Sequence, residues 1–175
     1  MQNIFSSSAQ GRFAVAKVSI CFLIVVSCFF LVTLTSCGDN TKTVTIKPIN
    51  LSELKGKISS NEKSVLIVDF WATWCPPCRK EIPGFINLYN KYKDKGLEII
   101  GVSLDQGGMP VLQPFVKRFG INYPIFLGNP EISSVYEISG IPTTLIIDKN
   151  GKTKSRHVGY VSEAEFEREI LALLK

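Results

Sequence analysis

Cys75 and Cys78 stand three residues apart in Trp74-Cys75-Pro76-Pro77-Cys78, directly after the apolar run 65–72. If that run is a strand turning into a helix, the two side chains lie one helical turn apart, with both sulfurs on one face. Their spacing falls within the range a disulfide spans. Closing so short a loop restrains an unfolded chain very little. A pair placed here is suited to exchanging electrons rather than to stapling a fold. Half of a zinc site would need two more ligands, and the chain has no second Cys-x-x-Cys and only His157. Covalent haem attachment needs a histidine after the second cysteine, where Arg79 stands. No metal and no diffusible cofactor is expected. A purely structural disulfide stays open, but it gives no reason for the pair to sit at a strand-to-helix junction.

The chemistry assigns unequal roles to the two sulfurs. Cys75, at the start of the helix, meets the positive end of the dipole and is expected to be the nucleophile and the more exposed of the pair. Cys78, one turn inside, would resolve the mixed disulfide. Asp69 is a carboxylate in an otherwise apolar strand, where burial raises the pKa toward proton-transfer range. Trp74 is expected to be a partly exposed contact for client proteins, Trp71 a core residue, and His157 structural or superficial. Pro76 and Pro77 fit a first helical turn, which needs no intrahelical N–H; Pro83, inside the helix, is expected to kink it.

The elements around these residues follow from apolar periodicity. The run 65–71 reads as a strand buried on both faces. A helix follows from Pro76 to about Lys93 and stops at Gly96. The pattern then predicts a second buried strand over 97–104, a helix over 111–119 ended by Gly120, a short extended piece over 123–127 and a short helix over 131–137. Strands over 143–148 and 153–159 flank Lys149-Asn150-Gly151-Lys152, whose asparagine-glycine pair suits a hairpin turn. Ser162 begins a last helix running to Leu174, with Glu165 placed to complete a capping box. A βαβ start, a hairpin and a closing helix make an α/β domain with a mixed central sheet and helices on both faces.

The first 36 residues have another character. Arg12 and Lys17 precede an uncharged apolar run ending Leu34-Thr35-Ser36-Cys37. A basic start, an apolar middle and small residues before a cut describe a secretory signal. The run is also long enough for an uncleaved membrane span. Its end resembles a bacterial lipobox, which implies lipid on Cys37 as the mature N-terminus. The expected organisation is a signal over 1–36, a polar lipidated tether over 37–50 and the domain over 51–175. Cys21 and Cys28 leave with the signal, so only Cys75 and Cys78 remain to react. The net charge of +5 falls to +3 without the leader's two basic residues. Bases are scattered among acids, which argues against a nucleic-acid partner.

The stretch 68–83, Val-Asp-Phe-Trp-Ala-Thr-Trp-Cys-Pro-Pro-Cys-Arg-Lys-Glu-Ile-Pro, resembles the TlpA/ResA-like family. These are membrane-anchored thiol-disulfide oxidoreductases of the thioredoxin fold, working outside the bacterial cytoplasm. Gly140-Ile141-Pro142-Thr143-Thr144 is a second match, at the family's cis-proline loop. The resemblance covers about 51–175 and implies the thioredoxin fold, with the helix and extended piece between Val111 and Leu127 as the family's insertion. It implies a cis Ile141–Pro142 bond beside Cys75 that offers backbone to a client strand. It also implies proton exchange between Asp69 and Cys78, and a functional role for Glu81, which is otherwise readable as a solvated helix residue. Family members often carry Asn where Asp69 stands, and the region before Val65 lacks an obvious N-terminal hairpin. The implied partners are proteins with disulfides, apocytochrome c among the candidates, and a transmembrane electron donor. The expected function is reduction of client disulfides in the periplasm or at the cell exterior. An isomerase or oxidant, a non-catalytic adaptor and a peroxiredoxin-type peroxidase are the alternatives. The last needs a threonine three residues before its cysteine, where Ala72 stands.

Overall fold

The computed structural model describes residues 44–61 and 64–175. The expected signal and Cys37 lie outside these residues. Among the described residues no helix is long and apolar enough to cross a membrane.

Among the described residues six strands form one mixed sheet. They are β1 (Ile46–Pro48), β2 (Val65–Trp71), β3 (Leu97–Ser103), β4 (Ile125–Leu127), β5 (Thr143–Ile147) and β6 (Thr153–Val158), in the order β1-β4-β3-β2-β5-β6. The first four are mutually parallel, β5 runs antiparallel to β2, and β6 reverses again beside β5. Parallel strands need covered faces, and five helices supply the cover: α1 (Leu51–Ser59), α2 (Pro76–Tyr92), α3 (Met109–Phe119), α4 (Pro130–Val135) and α5 (Glu163–Leu174).

Strand β2 is buried along its whole length, and its alternation divides the core. Val65, Ile67 and Trp71 point into a cluster built with α2, α3 and α5, through Ile82, Phe85, Leu112, Val116, Phe166 and Ile170. Leu66, Val68 and Phe70 point the other way, into a cluster with Leu54 of α1 and Ile132 of α4.

One expectation is corrected at the domain's start. The stretch 44–50 is not all tether: Ile46–Pro48 pairs in parallel with β4, and Ile49 is buried. The sheet edge at this end is thus a single short strand, with no hairpin before Val65 among the described residues. Helix α1 had no counterpart in the periodicity, because Gly56 and five charged or hydroxyl side chains interrupt a weak apolar stripe. Its start was nevertheless marked. Asn50 accepts the Glu53 N–H while the Glu53 carboxylate accepts the Asn50 N–H, a complete capping box. The box expected at α5 is only half formed: Ser162 Oγ accepts the Glu165 N–H, but the Glu165 carboxylate instead meets Arg168. The asparagine-glycine hairpin is present, with Gly151 at φ +73° and the Asp148 carboxylate accepting the N–H groups of Asn150 and Lys152.

Candidate active site

Strand β2 ends at Trp71, and a turn closed by Cys75 N–H donating to Ala72 O (3.2 Å) leads into α2. Cys75 is itself the N-cap of that helix, with Pro76 and Pro77 in the first turn. Neither proline has an N–H to offer. The first donor is Cys78, whose N–H reaches Cys75 Sγ at 3.2 Å. The two sulfurs are bonded as a disulfide with Cα atoms 5.3 Å apart.

Cys75 is not the more exposed cysteine, contrary to expectation. Both are 2 % exposed. The cause is the loop opposite: the Ile141–Pro142 bond is cis, and the Ile141 carbonyl oxygen lies 3.7 Å from Cys75 Sγ. That loop is fixed at both ends. Gly159 N–H donates to Pro142 O, and Thr143 Oγ1 to Gly140 O. Upstream, the Arg156 guanidinium donates to the carbonyls of Tyr136 and Glu137, at 3.0 and 2.8 Å, where Glu137 sits at φ +50°. Sequence patterning had given Arg156 no part.

Two carboxyl groups are buried behind the sulfurs. Asp69 is 3 % exposed, on the β2 face that looks toward α2, with Thr144 Oγ1 3.5 Å from its Oδ1. Burial holds its carboxyl well above the ordinary range, the nearby Glu81 charge raises it further, and the Thr144 hydroxyl partly offsets this. Glu81, one turn after Cys78, is 4 % exposed and not the solvated helix residue it resembled in the sequence. Burial pushes its pKa up to about 7, against the lowering effect of the Val161 N–H, which donates to Oε1. Its Oε2 is buried without a partner. Tyr123 is buried in the same core, and its phenol is raised by burial first and then by Asp69 and Glu81.

Exposed apolar side chains lie beside the dithiol motif and the loop facing it. Trp74 is 65 % exposed, Val158 59 % and Tyr160 44 %. Val158 lies against Gly140, and Lys80 sits 4.1 Å from the Tyr160 ring centroid, a cation–π contact. Trp71 is core, stacked at a tilt on Phe115. His157 lies away from this surface, 3.0 Å from Glu169 and edge-on to Phe166, as a structural residue would. No group of three His, Cys, Asp or Glu side chains suited to a metal ion occurs among the described residues.

A different buried carboxylate went unnoticed in the sequence. Asp105, just past β3, accepts from Thr73 N, Thr73 Oγ1 and Ser103 Oγ. An acid following an apolar strand carries no pattern of its own, so nothing in the sequence marked it.

Comparison with known proteins places these features among relatives. The AhpC/TSA family profile matches residues 37–156. A thiol-disulfide oxidoreductase ResA of Bacillus anthracis is 36 % identical over 122 residues, which is 69 % of this chain and 66 % of that protein. The ResA of Bacillus subtilis is 35 % identical over 119 residues, 67 % of this chain and 62 % of its own length. This chain thus spans a little under two thirds of those two relatives. Among solved structures, a thiol:disulfide interchange protein of the thioredoxin family from Chlorobium tepidum superposes with a TM-score of 0.62 at 33 % identity, covering 66 % of this chain and 83 % of that one. StoA from Bacillus subtilis gives 0.55 at 26 % identity, covering 62 % and 84 %.

Proposed function

Since the chain belongs to the AhpC/TSA family and, within it, to the ResA-like thioredoxin-fold proteins, we propose that it is a thiol-disulfide oxidoreductase that reduces disulfides in client proteins. The observation that carries this reading is the Cys75–Cys78 disulfide at the start of α2, beneath the cis-proline loop and in front of two buried carboxyl groups.

In the reducing cycle the Cys75 thiolate attacks a client disulfide. A Cys75–client S–S bond forms, the client bond breaks, and the departing client sulfur leaves as a thiolate that takes up a proton. Cys78, once deprotonated, attacks Cys75 Sγ and releases the second client thiolate. The client gains two electrons and two protons, and the dithiol loses them. Asp69 and Glu81 fit the proton step. Both are buried with raised pKa values, and the unpartnered Glu81 Oε2 is free to hold or pass a proton. Trp74 supplies an exposed apolar contact, and the Ile141–Pro142 backbone beside Cys75 suits the addition of an extended client segment.

The direction of electron flow follows from what stabilises the Cys75 thiolate. With prolines at the first two helical positions, one backbone N–H reaches its sulfur, and no histidine stands within the motif. A poorly stabilised thiolate makes a reductant, with a potential nearer thioredoxin's value of about −270 mV than the about −120 mV of the oxidant DsbA. A reductant outside the cytoplasm needs electrons from a membrane partner. The lipobox-like motif supports anchoring through lipid on Cys37, with apocytochrome c among the candidate clients.

Insulin-disulfide reduction tests the activity, and equilibration against a dithiothreitol series tests the direction. A potential above about −180 mV, the isomerase value, would assign an isomerase or oxidant instead. Capture on a Cys78→Ala variant identifies clients through the bond left on Cys75. Mass spectrometry of the mature N-terminus tests the anchor, and a mature protein beginning anywhere but Cys37 removes it. The AhpC/TSA match raises peroxide as an alternative substrate, but Ala72 offers no hydroxyl where a peroxidase of that type needs one. Consumption of hydrogen peroxide by the reduced protein separates the two.

A further inference from the structure

We propose that Asp105 is a positioning residue for the dithiol: its carboxylate holds the turn that presents Cys75. This rests on the reading of Cys75 and Cys78 as the redox couple.

The need for such a hold begins where β2 ends. The Trp71 carbonyl is taken by Leu104 N–H at 2.8 Å, the last bond between β2 and the chain leaving β3. The next residues turn away from the sheet. Thr73, at the corner of the Ala72–Cys75 turn, is 8 % exposed, so its N–H and hydroxyl need partners within the protein. Asp105 satisfies both. Thr73 N lies 3.0 and 3.2 Å from the two carboxylate oxygens, and Thr73 Oγ1 lies 2.6 Å from Oδ1. Ser103 Oγ donates to Oδ2 at 2.7 Å and accepts the Asp105 N–H at 3.1 Å, which fixes the carboxylate in turn.

An aspartate just ahead of a helix ordinarily caps it. This one does not. The N-cap of α3 is Gly108, which has no side chain, and the Asp105 carboxylate reaches back 32 residues to the turn before Cys75. Among the described residues no lysine, arginine or histidine pairs with it. The carboxylate is held by hydrogen bonds alone, which makes the knot directional.

The hold matters at the resolving step. There Cys78 must reach Cys75 Sγ in line with the Cys75–client bond. Cys78 is carried inside α2, whereas Cys75 stands ahead of the helix, and its place depends on the turn. Loosening Thr73 therefore lowers the effective concentration of one sulfur at the other. It does so in the mixed disulfide and in the free dithiol alike. This disfavours the closed disulfide.

The test uses the full chain and three variants, Asp105→Ala, Asp105→Asn and Thr73→Val. Asp105→Ala is expected to lower the closure equilibrium about tenfold, which raises the potential by about 30 mV. It should also lengthen the life of a mixed disulfide with a model peptide about tenfold. Asp105→Asn keeps an acceptor, and Thr73→Val keeps the N–H bond, so each should move both readouts the same way by less. If Asp105→Ala does not fold, these two variants decide the matter. A potential and a mixed-disulfide lifetime equal to those of the wild type in every folded variant, even with a lowered Tm, would reduce Asp105 to a stabilising residue and overturn the inference. The redox reading fails separately, if the unmodified chain does not reduce insulin.

Discussion

The two faces of the central sheet are built from alternate residues of the same strand, yet they differ in kind. On the side of α1 and α4, β2 contributes Leu66, Val68 and Phe70 to a cluster of apolar side chains. On the side of α2, α3 and α5 it contributes Val65, Ile67 and Trp71, but also Asp69, and the same core holds Glu81, Tyr123 and both sulfurs. One face is an ordinary apolar interior. The other has buried ionisable groups where burial disfavours their charge, so the chemistry comes at some cost in stability. This predicts that substitutions on the two faces move stability and activity in opposite combinations.

The largest effect should come from the sulfurs. Cys75→Ser should abolish disulfide reduction. Because the loop it closes is so short, denaturant unfolding should change little. A variant that keeps activity would break the assignment of the nucleophile.

Phe70→Ala, on the apolar face, should lose about 3–5 kcal/mol of stability, the usual loss for a fully buried aromatic. The redox potential of whatever remains folded should stay put. A shifted potential would mean that the two faces are coupled.

Asp69→Asn should do the reverse. Activity should fall about a hundredfold, the order of a lost proton-transfer group, while the protein becomes more stable at neutral pH. The sign follows from linkage. Asp69 has a folded pKa above its unfolded value, so its folded state binds more protons, and stability declines as pH rises past the ordinary aspartate range. The variant's advantage should therefore vanish below about pH 4. A loss of stability at pH 7 would place Asp69 among the structural polar groups.

Glu81→Gln is a finer version of the same test, with a stated window. The wild type should lose stability between the ordinary glutamate value of 4.5 and about 7, where the unfolded state ionises while the folded carboxyl keeps its proton, and the loss should level off above that. The variant should lose less over the same window, Asp69 alone now contributing, with Tm curves that meet at about pH 4 and separate by about pH 8. In the wild type the rate of client reduction should break near pH 7, and the variant should lack that break.

Trp74→Ala should be the mildest change. The side chain is mostly in solvent, so KM for a protein client should rise a few-fold with kcat for a small disulfide unaffected. An unchanged KM would move client contact to the Val158 and Tyr160 side of the rim.

The two faces also differed in how far they were legible. Strand β2, the dithiol and the cis-proline loop were readable because each rests on a contiguous motif: an apolar run, Cys-x-x-Cys and Gly-Ile-Pro-Thr-Thr. Glu81 was ambiguous because its neighbours in sequence, Arg79 and Lys80, are exposed while it turns inward to Val161, 80 residues away. Asp105 and Arg156 act on backbone groups distant in sequence, and such bonds leave no periodicity to find. Strand β1 is three residues long, with Lys47 and Pro48 exposed. It joins the sheet through pairing with β4, so its composition resembles that of a linker.

The hydrogen bond from Cys78 N–H to Cys75 Sγ makes one backbone amide a reporter. In the closed form that amide faces a neutral sulfur at 3.2 Å, and no earlier position in the helix can compete for it, because both are prolines. Reduction leaves the same amide facing a thiol at low pH and an anion at higher pH. A charge-assisted bond is stronger and shorter than a neutral one. The Cys78 amide resonance should therefore move downfield, and its deuterium exchange should slow, as the thiolate forms. An NMR titration of that single proton would give the Cys75 ionisation directly, free of any client, alkylating reagent or neighbouring chromophore.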